Sequence, residues 1–171
     1  VSERSVIAGA VWDSAGALIA TTDSAPGGIT SPAVVAAMIR DFGDPDSAAI
    51  GRLLSRRDTV VYPVVAMITA KGRRLGYAVQ WNRVSKNPQA RDRVELLFGR
   101  GAVLYVGSTP GAWTDQSDVV SPPPLNAAKL AQMVRYVRQP AGSSRVAAGA
   151  RIPGRPWIVA MTANAMDGDR E

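Results

Sequence analysis

VVYPVVAMITAKGRRLGYAVQW, Val60–Trp81, decides the architecture of this chain. Val60–Thr69 is an almost unbroken apolar, β-branched run, the composition of a central strand buried on both faces. Lys71-Gly72-Arg73-Arg74 is a tight turn, and Leu75–Val84 returns as a second strand. Within it Leu75, Tyr77, Val79 and Trp81 fall on one side by period-two alternation.

The same unit of strand, Gly-containing turn and strand occurs three more times. It spans Val6–Thr22, Gly101–Thr114 and Arg135–Thr162. In the first, Asp13-Ser14-Ala15-Gly16 supplies the turn, with Asp to initiate it and Gly to close it. In the third, Pro110-Gly111 carries a type II turn signature. The fourth turns at Gly142-Ser143-Ser144, and Pro153-Gly154-Arg155-Pro156 leads into a last strand, Trp157–Thr162.

Helical signals lie between the hairpins. Ser31-Pro32 reads as an N-cap followed by proline at the first helical position, with Val34, Val35, Met38 and Ile39 at helical spacing. Ala48–Ser55, with Ile50, Leu53 and Leu54, is expected to form a short second helix. Asn87-Pro88 opens a helix through Phe98, placing Val94, Leu97 and Phe98 on one stripe. Asn126–Met133 is a further short helix. Antiparallel hairpins with helices segregated between them indicate an α+β fold: an antiparallel central sheet flanked by helices. The 171 residues suit a single domain, or two small lobes at about 1–98 and 99–171.

Composition removes several classes of chemistry. The chain has no histidine and no cysteine, so it lacks an imidazole base, a thiolate nucleophile, a disulfide framework and zinc-thiolate ligands. No Ser-x-x-Lys or Gly-x-Ser-x-Gly pattern occurs, and Lys71, Lys86 and Lys129 are the only lysines. The glycine-rich stretches Gly107–Gly111 and Ala25–Gly28 match no phosphate loop. Asp41, Asp44 and Asp46 cluster at Asp41 and the FGDPD that follows it, without the spacing, central glycine or closing glutamate of a calcium loop. Neither a metal nor a cofactor is expected. The net charge of +6 is spread over dispersed arginines, not gathered into the basic stripe that nucleic-acid binding requires. No segment approaches the roughly 20 apolar residues of a membrane span. A first residue of Val1 and a polar tail, Asp167–Glu171, lead to the expectation of an excised fragment with flanking membrane helices elsewhere.

Polar and aromatic side chains at strand ends supply the candidate ligand contacts: Trp81, Arg83, Tyr105, Trp113, Asp115, Tyr136 and Arg138. An indole beside a carboxylate, as at Trp113 and Asp115, suits a cationic or amine group. Each also has a plainer role, the aromatics in a core and the carboxylate as a loop cap. Trp12 and Trp157 are assigned to the core.

Val11–Thr22, Tyr62–Val65 with Arg74–Trp81, Val103–Gly107 with Ala112–Asp115, and Ala148–Ile152 with Pro153–Ala160 together resemble a known family. They are similar to the extracytoplasmic PAS-like (Cache-type) sensor domains of bacterial transmembrane receptors such as sensor histidine kinases. The PGRPW turn at Pro153–Trp157 followed by an apolar strand is the most characteristic piece. The resemblance implies a non-catalytic, periplasmic signal-input domain of an inner-membrane protein that binds a small-molecule ligand, with homodimerisation expected. The long N-terminal helix of that pattern is absent from these residues, which leads to the expectation that it lies upstream of Val1 or that this is a divergent member. Two other readings remain: a protein-protein interaction module without a small-molecule pocket, and a small Ser/Lys- or Asp-dependent hydrolase.

Overall fold

The computed structural model describes residues 6–22, 33, 48–85, 87–115, 119–120, 137–138 and 145–164. Among these residues two six-stranded sheets, antiparallel throughout, take the place of the single central sheet expected. The first consists of β1 (Val6–Asp13), β2 (Leu18–Thr21), β3 (Ala48–Ile50), β4 (Leu54–Arg56), β5 (Thr59–Ala70) and β6 (Arg73–Arg83). Its order is β2-β1-β6-β5-β3, with β4 also on β5. Helix α1 (Pro88–Phe98) follows. The second sheet contains β7 (Val103–Gly107), β8 (Trp113–Thr114), β9 (Val119–Val120), β10 (Val137–Arg138), β11 (Arg145–Arg151) and β12 (Ile158–Asn164), in the order β10-β11-β12-β7-β8-β9.

Local chemistry accounts for the hairpins. The Asp13 carboxylate accepts hydrogen bonds from the backbone N–H groups of Ala15 and Ala17, at 2.9 and 2.8 Å, and so closes the β1–β2 turn. At the second turn Lys71 and Gly72 both take positive φ, and β5 pairs with β6 along nearly its whole length. The second-sheet turn Pro153–Pro156 is closed by Ile152 N–H to Trp157 carbonyl at 3.0 Å.

One face of the first sheet holds the main core: Ala8, Ala10 and Trp12 from β1, Tyr77, Val79 and Trp81 from β6, Val61 and Val65 from β5, and Ala49 from β3. The alternation expected for β6 is therefore present, although Leu75 is exposed. A second cluster, Leu53, Val60, Ala112 and Trp157, draws residues from both sheets and ties them together.

Four local expectations are corrected. Ala48–Ser55 is not a helix but the strands β3 and β4, because both halves pair with the free side of β5. A three-to-four-residue apolar spacing over so short a run cannot tell the two states apart. The central strand β5 is interior, yet only one of its faces is fully buried. Of the apolar stripe expected on α1 only Val94 is buried, while Leu97 and its neighbour Leu96 stay 73% and 85% exposed. The Pro110-Gly111 turn departs from type II: Gly111 sits at φ 151°, away from the roughly +80° that type requires. The helices expected around Val34–Ile39 and over Asn126–Met133, and the FGDPD cluster, lie outside the described residues.

Candidate functional site

Among the described residues, the face of the first sheet opposite its core is open and apolar. Strand register sets two rows of side chains across it. Ala20, Val11, Ala78, Ala66 and Ala48 form one row, each paired with the next across its ladder. Gln80 beside Gly9, then Val64 and Ile50, form the adjacent row. Most of these side chains are small, and the face is a depression of about 710 Å³. That volume lies within the usual range of ligand sites, roughly 300–1,000 Å³.

An antiparallel sheet with one solvated face ordinarily alternates apolar inward with polar outward. Here the outward positions of β5 and β6 include Val64, Ala66 and Ala78, so the alternation fails where the depression lies. The polar groups at this face are few. Thr22 closes its rim, its hydroxyl accepting from Gly9 N–H at 3.2 Å. Gln80 donates through Nε2 to Asn82 Oδ1 at 2.9 Å. Among the described residues no charged side chain lines the depression. These residues can hold an apolar surface with one or two hydrogen-bonding groups.

The seven residues singled out from the sequence are not brought together there. Trp81, 1% exposed, belongs to the core on the opposite face, and Arg83 follows it at the end of β6. Tyr105, Trp113 and Asp115 belong to the second sheet and its margin. Tyr105 is half-buried and paired with Ala160. Trp113 is buried, with its ring lying over Gly107. Asp115 borders a crevice against Ala90, Arg91 and Val94 of α1 whose volume, about 10 Å³, is no more than a single water occupies. Tyr136 lies outside the described residues, and of Arg138 only its place in edge strand β10 is described.

Sequence reasoning passed over Gly9, Val11, Ala66 and Ala78 because it looked for aromatic and charged side chains. The available signal was apolar residues at both parities of β5, which the sequence reading took as two buried faces.

Two solved structures are similar to this chain in fold. The extracellular domain of the candidate histidine kinase rpHK1S-Z16 matches 94% of this chain and 72% of its own, with a TM-score of 0.52 and 15% identity. The chain has the fold of a receptor sensor domain. The ligand-binding domain of the Campylobacter jejuni chemoreceptor Tlp3, solved with L-valine, matches 94% of this chain and 67% of its own, with a TM-score of 0.50 and 9% identity. No family model matches the sequence, and no curated protein does. The likeness to both is one of fold, at 15% and 9% sequence identity. No helix among the described residues is long and apolar enough to cross a membrane.

Proposed function

We propose that this chain is the signal-input domain of a membrane-anchored receptor, placed outside the cytoplasm, and that it binds its ligand without transforming it. The observation that carries this reading is the sensor fold over 94% of the chain. It is supported by the open depression of the first sheet and by an inventory without histidine or cysteine. The ligand would seat on the small-residue face formed by Gly9, Val11, Ala66 and Ala78, with Gln80 as its polar contact. Membrane helices flanking the domain and a second copy as dimer partner belong to the same reading.

Binding to a pre-existing conformation shifts its population by the ligand's differential affinity for the two states. A thermal-shift screen of amino acids, carboxylates, amines and uncharged apolar compounds tests this directly, because a ligand selective for the folded chain raises its melting temperature. A hit abolished by Ala78→Trp, which fills the depression, assigns the ligand to this face. A hit that survives this substitution places the ligand elsewhere.

A specific observation favours a second reading, an interaction module. Leu96, Leu97 and Phe98 form an exposed apolar end to α1. Failure of every small molecule in the screen, with association of the chain that is lost on Leu97→Lys, would favour it.

A further inference from the structure

The first sheet leaves three backbone groups that its own ladder cannot match, and the second sheet provides a partner for each. Gly51 stands opposite Pro63, and its N–H donates to the Pro63 carbonyl at 2.8 Å. Such an antiparallel pair normally exchanges two hydrogen bonds. The return bond needs an N–H that proline does not have. The Gly51 carbonyl instead accepts from the Trp157 indole Nε1 at 2.8 Å.

Next to it the chain carries a bulge. Ile50 pairs with Val64 and Leu54 with Val61, so four residue steps on one side span three on the other. A bulge throws a residue out of its ladder. Leu53 N–H donates to Ser108 Oγ at 3.0 Å. The Leu53 carbonyl accepts from Ala112 N–H at 2.8 Å and from the Ser108 hydroxyl at 3.2 Å. Leu53 and Ser108 are both buried, so water does not substitute for these partners.

This joint adjoins the open face. Val64 and Ala66 line the depression, and Tyr62 is the next residue on the same side of β5. The Tyr62 ring meets Trp157 edge-on, with centroids 4.9 Å apart. A displacement of β5 at Val64 therefore reaches Trp157 through the Tyr62 ring and through the Gly51 carbonyl. Trp157 immediately precedes β12, whose first residue, Ile158, pairs with Gly107 at the end of β7.

We propose that the strap Gly51–Leu53 is the mechanical joint that makes the two sheets one cooperative unit, so that movement at the open face is passed to β7 and β12. Its meaning as a signal route rests on the sensor reading; the coupling does not, and it is tested without any ligand. Native-state hydrogen exchange on the whole chain compares the best-protected amides of β5 and β6 with those of β7 and β12. In the wild type the two sets share one opening free energy, with protection factors within about twofold. Trp157→Phe keeps an aromatic ring against Tyr62 and removes the indole donor. It is expected to lower protection in β7 and β12 about tenfold relative to β5 and β6, as a unit that now opens separately. Ser108→Ala takes its place if that variant does not fold. Wild-type sheets that already exchange out of step would overturn the proposal. So would a variant in which both sheets lose protection equally or neither does. A negative ligand screen would sink the sensor reading and leave this result standing.

Discussion

At position 107 a side chain would point into the ring of Trp113, and at position 111 it would meet Ser108 Oγ and the Leu53 carbonyl, the latter at 2.6 Å. Both glycines are placed by close approach across the second sheet and its joint. Gly107→Ala should force the buried indole off its seat, and overpacking of this kind costs about 1–3 kcal/mol. Urea denaturation should show it as a lower midpoint with an unchanged slope. An unaltered midpoint would mean that Trp113 repacks freely. The residues chosen from the sequence as ligand contacts show how far single positions can be read. Tryptophan at a strand end signals a large buried ring, and Trp12, Trp81, Trp113 and Trp157 are all buried. Which cluster each ring enters depends on strand order and face, which a lone residue does not encode. Ser108 is similar: its hydroxyl is occupied by the Leu53 backbone, a partner 55 residues away in sequence.

Among the elements, β5 was the most legible and also the most misleading. Its length and β-branched content mark a strand, and proline within it argues against a central position. Pro63 is tolerated because its imino nitrogen faces the side where β3 gives way to the bulge, leaving the ladder to β6 intact. Pro63→Val would restore an N–H able to close the return bond to Gly51. Hydrogen exchange should then show β5 and β6 at least as protected as in the wild type, while β7 and β12 lose protection relative to them. Equal change in both sheets would show that the missing donor is not what engages Trp157. Helix α1 teaches a different lesson. Pro88 at its start and the Gly99 N–H on the Glu95 carbonyl at its end set bounds that the sequence predicts. Its apolar stripe does not foretell burial, since Leu97 stays exposed and no element among the described residues packs over it. Leu97→Lys should change stability by less than about 0.5 kcal/mol, as exposed substitutions usually do. Chemical denaturation checks this, and a larger loss would mean that Leu97 is covered.

At the scale of the whole molecule, the described residues give the first sheet an open apolar face and join it to the second sheet at Gly51–Leu53. A ligand present at a hundred times its dissociation constant stabilises its folded target by about 2.7 kcal/mol. For a chain of this size each kcal/mol raises the melting temperature by about 2–4 °C, so a true ligand should shift it by roughly 5–11 °C. Ala78→Trp should remove that shift while the variant keeps its cooperative transition. A shift of the same size in the variant would rule out the face as the seat. What the sequence determined by itself was local: hairpins from alternation and turn residues, the helix from its proline start and glycine stop, and a chemistry without histidine or cysteine. These depend on neighbours a few positions apart, and the chain states them directly. Tertiary structure alone decided that the hairpins divide into two sheets, that Ala48–Ser55 extends as strands against β5, and that Gly51 finds its donor at Trp157. Those outcomes follow from hydrogen-bonding groups that find partners outside their own segment, from the neighbouring β5 for Ala48–Ser55 to Trp157, 106 residues away, for Gly51, where no local pattern names the partner.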